Sequence, residues 1–254
     1  MIRNSFLFLE KISRKKEKNI WKQGIKHWQD FLQTEKISGV SKQKKYYYER
    51  KIKEAQQALL DNDSSYFMSK LPKKEMWRLY NSFKEECCFL DVEVDSQGKI
   101  ILVGISDNHS TKQFVKCINL DKAPVERELN KYKLLITFNG SAFDLPKLKK
   151  ELKVEINIPH IDLKPLCITL GLKGGLKEIE KILNLHRPAH LYGNPVELWK
   201  AFHASRDREW LELLLNYNKE DVENLQRIME YTYKKAVEEL QKGPLEEKGG
   251  KKIH

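Results

Sequence analysis

The sequence predicts an α/β fold: a mixed five-stranded sheet flanked by helices and preceded by a small basic helical region. Three observations carry that expectation. β-rich runs begin abruptly at Cys87, helical periodicities alternate with them afterwards, and the residues before them are helical in pattern, aromatic and rich in lysine.

In the first third, Ile20, Trp21, Ile25, Trp28, Phe31 and Leu32 recur at spacings of three and four, which predicts two short amphipathic helices broken near Gly24. KQKKYYYERKIKEAQQALL predicts a helix over 43–60, DNDSS a loop, and MSKLPKKEMWRLYNSF a turn followed by a helix with Pro72 near its start. CCFLDVEV, KIILVGISD and QFVKCINL then read as a three-stranded antiparallel meander turned at SQG and NHST. KLLITFNG is a fourth strand whose continuous apolar run fits parallel pairing, and INIPHID supplies a short fifth. DLPKLKKEL begins a helix with Asp144 at its cap and Pro146 in its first turn. Further helices are expected near 163–171, 176–184, 195–204 and 207–240, the last with an interruption, and the Gly/Lys-rich end is expected to be disordered. The expected organisation is a basic region over 1–85, a main domain over 86–240 and a tail over 241–254.

Charge is distributed unevenly. Residues 1–90 hold 20 Lys+Arg against 11 Asp+Glu, and the remainder 27 against 25, within a total of +11. A basic arm on a near-neutral domain suits a polyanion such as nucleic acid, although a solvated lysine-rich surface has the same composition. The four cysteines form no Cys-x-x-Cys spacing, which argues against a zinc ribbon and a disulfide framework and fits a reducing cytosol. No apolar stretch reaches 18 residues, so a soluble, cytoplasmic protein with no membrane partner is expected.

Chemistry is concentrated in three segments. On a strand, Asp91 and Glu93 project to one face because the side-chain period is two, so both can reach one hard cation. Asp-x-Glu recurs at Asp207/Glu209 and Asp221/Glu223, but only the first copy follows an apolar strand-like run. Tyr217 and Asp221 share a helix face four residues apart, the one Tyr-x-x-x-Asp among ten tyrosines. Asp144 stands at a strand-to-helix switch, where sheet proteins gather ligands. Each acid also has an ordinary reading: a helix cap for Asp144, a surface acid for Asp221, an exposed edge-strand residue for Glu93.

FLDVE, FNGSAFDLPKL and YNKED resemble, in that order, the three motifs of the DEDD exonucleases, the DnaQ-like branch of the ribonuclease H-like fold, and are similar to the proofreading domains of family B DNA polymerases. From about Ser5 to Leu240 the chain resembles the YprB-type ribonuclease H-like proteins, PHIDL, GLKGGLKEIE and LPKKEMWRLYNSFKEECCFLD included. Asn216 stands where the histidine subtype carries its histidine, and Tyr217 where the tyrosine subtype carries its tyrosine. The resemblance therefore implies a DEDDy 3′–5′ exonuclease. It implies that Asp91 bridges two divalent cations, Mg2+ or Mn2+, that Glu93, Asp144 and Asp221 complete their shells, and that Tyr217 orients the attacking water. Acid-only ligation agrees with those ions. The expected substrate is DNA 3′ ends in repair or processing, with RNA as the alternative and a helicase or other repair protein as partner. A non-catalytic nucleic-acid-binding subunit is the rival reading. Asn139, Phe143, Lys15, Lys16 and Lys18 are the candidate nucleic-acid contacts.

Two features depart from these relatives. Val94, Asp95 and Ser96 follow Glu93 where many continue with Thr-Thr-Gly, and Lys11 and Ser13 occupy the expected glycine places of an amino-terminal helix-hairpin-helix. Among the remaining candidates, His186 and His190 flank Pro188 and read as loop residues. Gly174 and Gly175 read as a turn before a helix, and Asp162 as the cap of the helix starting at Leu163. Tyr46, Tyr47, Tyr48 and Trp77 could stack on bases or pack the small domain.

Overall fold

The computed structural model describes residues 1–188 and 194–241. His190 and the expected tail beyond Gln241 lie outside them. Five strands form one sheet in the order β3-β2-β1-β4-β5, with β1 Cys87–Val94, β2 Ile100–Ser106, β3 Thr111–Val115, β4 Leu134–Thr137 and β5 His160–Asp162. The first three pair antiparallel, whereas β4 runs parallel to both β1 and β5, as the buried LLIT run implied. β3 is displaced from the expected QFVKCINL, because residues 116–119 turn back: the Asn119 side chain accepts from the Val115 N–H at 2.6 Å.

The helices follow the expected pattern with instructive exceptions. α1 (Arg14–Lys22) and α2 (Trp28–Gln33) are separated at Gly24, whose φ of +85° ends the first. α3 spans Lys42–Leu60. The expected helix after Pro72 is instead a 3-10 stretch, Lys73–Leu79, followed by one short turn, α4 (Tyr80–Phe83). An additional helix, α5 (Lys122–Leu129), forms in DKAPVEREL, with Pro124 in its first turn, where the missing N–H costs no intrahelical bond. α6 (Asp144–Lys147) passes into a π turn over Leu148–Leu152. Then come α7 (Leu163–Thr169), α8 (Leu176–Ile182), α9 (Pro195–Ser205) and α10 (Arg208–Gln241), the last a single uninterrupted helix.

Strand alternation divides the core. Cys88, Leu90 and Val92 of β1 pack with Val125 and Leu129 of α5, while Cys87 and Phe89 face Leu225, Ile228 and Met229 of α10. Ile101 and Leu102 meet Trp199 and Leu214 in a third cluster. The α10-facing core also contains Phe6, Trp28, Phe31 and Ile52, so amino-terminal residues and the sheet share one apolar interior.

A buried ion network fastens the amino-terminal segment. Arg78 is 1% exposed and pairs with Glu17 at 3.0 Å and Glu75 at 2.9 Å, and Glu75 also meets Arg14. Glu17 accepts from the Phe6 N–H at 2.7 Å and the Ser5 hydroxyl at 3.1 Å. Of the two positions expected to carry hairpin glycines, Lys11 adopts φ +62°, the left-handed conformation that glycine would take there, while Ser13 is extended and caps α1. Lys15, Lys16 and Lys18 are exposed on α1. Among the four aromatics in question, Tyr48 and Trp77 are core residues, Tyr47 is half-buried and donates to Glu10, and Tyr46 is exposed.

Candidate metal centre

Asp91 and Glu93 continue the Phe89 side of β1, the side covered by α10. On α10 the buried stripe is apolar at Leu225, Ile228 and Met229 and becomes polar one turn earlier, at Tyr217, Asn218 and Asp221. The polar half of the strand therefore meets the polar half of the helix. One carboxylate oxygen each from Asp91, Glu93 and Asp221 lies within 4.8 Å of the others, a spacing suited to a shared cation.

Asp144 stands beside this trio rather than within it. It is not the cap of α6 but its first residue, and the Val92 N–H donates to its carboxylate at 2.9 Å, tying it to β1 between Asp91 and Glu93. Asp162 does cap α7, accepting from the Lys164 N–H at 3.2 Å. It also accepts from the Asn139 N–H at 2.8 Å and the Ser141 N–H at 3.1 Å, so β5 pins the loop that delivers Asp144. That loop needs Asn139 at φ +65°. Phe143 is 37% exposed at the mouth of α6, and Asn139 is half-buried.

The electrostatics follow from crowding acids in a poorly solvated place. Burial first, then Asp144, raises the Asp91 carboxyl to about 7. Burial and then Asp91 raise Asp221 to about 8, and burial raises Asp144 to about 7. Burial, then Asp91 and Asp221, hold Glu93 well above the usual carboxylate range. Tyr217 is likewise raised, by burial and then Asp221, so its hydroxyl keeps its proton. An all-oxygen donor set that binds protons too well lacks positive charge, and a hard divalent cation fits that set.

Sequence reasoning missed several supporting residues. Asn218 donates to Asp91 at 3.0 Å and accepts from Gln113 at 3.1 Å. Its place three residues before Asp221 was a usable signal. Its seat was not: Gly104 pairs with Asp91 across β1 and β2, and a Cβ there would lie 2.0 Å from the Asn218 Oδ1. Gly104→Ala is expected to destabilise the protein by about 1–3 kcal/mol through overpacking and to weaken Mn2+ binding, read by urea denaturation and calorimetric titration. Unchanged values in both would show that Asn218 moves aside at no cost.

Arg187 is the second omission. It is 6% exposed, bridges Glu180 at 2.8 Å and Asp221, and lies with its guanidinium carbon 5.1 Å from the Tyr217 ring centroid. Lys177 of α8 lies 4.8 Å over the same ring. Asn224 donates to Glu180 at 2.9 Å. Of the dismissed candidates, Gly174 takes φ +123° and Gly175 caps α8 with Glu178 closing back on its N–H at 2.9 Å, a turn as expected. His186 is exposed. Asp207 accepts from the Glu209 N–H at the start of α10, and Glu223 is bonded to Thr111, so of the two later Asp-x-Glu copies only Asp221 joins the acidic cluster, and as a single acid rather than a pair.

Three antiparallel strands, two parallel strands in the order β3-β2-β1-β4-β5 and paired acids on the central strand define a ribonuclease H-like fold. The model of the RNase_H_2 family, of the RNase_H superfamily, matches residues 88–233, and the chain belongs to that family. A solved structure of the family B DNA polymerase from the hyperthermophilic archaeon Pyrobaculum calidifontis is similar over 61% of this chain, at 14% identity and a TM-score of 0.44. The similarity covers 24% of that polymerase chain. No curated protein matches. Among the described residues, no helix is long and apolar enough to cross a membrane.

Proposed function

We propose that the protein is a metal-dependent 3′–5′ exonuclease of the DEDDy type that hydrolyses phosphodiester bonds of DNA, at single-stranded ends, in repair or processing. The observation that carries this reading is the trio Asp91, Glu93 and Asp221 within 4.8 Å on a ribonuclease H-like sheet, with Tyr217 one turn before Asp221. When bound, two divalent cations, Mg2+ or Mn2+, would activate water and neutralise charge on the leaving 3′ oxygen. Asp91, Glu93 and Asp221 are the residues that would hold them, with Asp144 completing the set from its Val92 tether. Asn218 keeps Asp91 oriented. Tyr217, held protonated by its surroundings, is placed to donate a hydrogen bond to the attacking water. Phe143, exposed beside Asp144, offers an apolar face to the terminal base, and Asn139 and Lys15, Lys16 and Lys18 are proposed as further nucleic-acid contacts.

A 5′-labelled single strand of DNA or RNA, incubated with Mg2+ or Mn2+, tests the reading and separates DNA from RNA. Stepwise shortening from the 3′ end supports it; tight binding without cleavage under either ion would instead favour a binding subunit of a helicase or polymerase complex. Tyr217→Phe is expected to lower the cleavage rate by about 100-fold, the scale of a lost proton-handling group, with little change in melting temperature. Wild-type rates in that variant would remove Tyr217 from the chemistry.

A further inference from the structure

Arg187 stands out because its hydrogen bonding is unfinished. Its Nη2 serves both Glu180 and Asp221, yet Nε and Nη1 are buried without a partner, the only such side-chain atoms among the described residues. Holding Asp221 in place uses one nitrogen. Balancing charge needs no unpaired donors, and burying them is costly unless an acceptor arrives. The other buried arginine, Arg78, shows what a purely structural guanidinium looks like here, since it has two carboxylate partners and no orphaned nitrogen. Arg187 differs by sitting against the metal-facing Asp221 and the Tyr217 ring. An acceptor entering that place gains most if it is anionic and oxygen-rich, and a guanidinium matches a phosphate oxygen better than an ammonium does.

We propose that Arg187 is a phosphate-binding residue, whose free donors take a non-bridging oxygen of the nucleic-acid backbone seated against Asp91, Glu93 and Asp221. The assignment rests on the nuclease reading and extends it to the substrate. Glu180 supports it, because this fixed partner keeps the guanidinium at the site when Asp221 turns toward a cation. Asn224 holds Glu180 in turn.

The test compares wild type, Arg187→Gln and Arg187→Lys. Fluorescence anisotropy of a short labelled single strand is read in Ca2+ over a series of salt concentrations, and Mn2+ binding is measured by calorimetry without nucleic acid. Arg187→Gln is expected to weaken strand binding by about tenfold and to reduce the slope of log K against log salt by ~0.7, with Mn2+ affinity little changed. Arg187→Lys keeps the charge and is expected to recover the salt slope but only part of the affinity; it carries the comparison if the glutamine variant does not fold. Strand binding at wild-type strength in Arg187→Gln, or a loss matched by an equal loss of Mn2+ affinity, overturns the assignment, the second outcome leaving Arg187 as a support for Asp221 alone. Wild-type protein that cleaves while Arg187→Gln binds normally defeats only this proposal. Wild-type protein that neither binds nor cleaves defeats the nuclease reading and this one together.

Discussion

Asp91→Asn is expected to abolish metal-dependent cleavage, by about three orders of magnitude or more, while making the metal-free protein more stable at pH 8. The first effect follows from the proposed nuclease reading, in which losing the Asp91 charge would leave Glu93, Asp221 and Asp144 to hold the cations. The second follows from linkage. With a folded value of about 7 against an ordinary 3.8, Asp91 binds its proton more tightly in the folded state. Folded and unfolded chains are both protonated at low pH. As pH rises from about 4 to about 7 the unfolded carboxyl ionises first, so stability falls through that window and the deficit persists above it. Asp221, at about 8, extends the window upward. The neutral amide keeps the oxygen that accepts from Asn218 and removes the charge. Allowing for the half-exposed position of Asp91, the gain at pH 8 should be about 1–2 kcal/mol. Urea denaturation in EDTA and in Mn2+ reads it: Mn2+ should stabilise wild type increasingly from pH 5 to pH 8 and the variant much less. A metal-free variant less stable than wild type at pH 8 would mean that the acids are not in electrostatic conflict.

Arg78→Ala is expected to cost about 3–5 kcal/mol of stability, because it strands two carboxylates in the interior. Glu17 and Glu75 are each about as buried as Arg78, and burial already raises Glu17 despite the guanidinium beside it. The planar head also lies 5.8 Å from the Trp21 ring and 5.6 Å from the Trp77 ring, so packing is lost with the charge. Arg78→Lys should recover part of this, since a single ammonium cannot reproduce two directed bonds. The amino-terminal aromatics and the sheet share a core, so tryptophan fluorescence and far-ultraviolet circular dichroism should report one transition that shifts as a unit. Two separated transitions would show that the amino-terminal region unfolds by itself.

Local patterns were legible in the sequence wherever one segment contained its own explanation. The CCFLDVEV run announced both a strand and, through its period of two, a shared face for Asp91 and Glu93. Tyr217 and Asp221 declared their common helix face by spacing. Gly24 marked the break between α1 and α2. Less was visible where a residue's role depends on a distant partner. Asp144 looked like a cap because acids are common there, whereas its carboxylate reaches a backbone N–H contributed by Val92. DKAPVEREL gave a weak helical signal and folds as α5 because Val125 and Leu129 are needed to cover the second face of β1.

The order of acids along the chain, the place of Tyr217 four residues before Asp221 and the basic amino-terminal third were determined by the sequence alone, because each is a matter of residue type and short-range spacing. The tertiary structure decided how those acids meet. Antiparallel register sets Gly104 opposite Asp91 and opens the space for Asn218; α10 crosses β1 so that its polar turn, not its apolar one, faces the carboxylates; and the segment after α8 returns Arg187 to Asp221. Strand register, helix crossing and loop return are long-range properties fixed by packing two apolar faces together, and no local pattern encodes them.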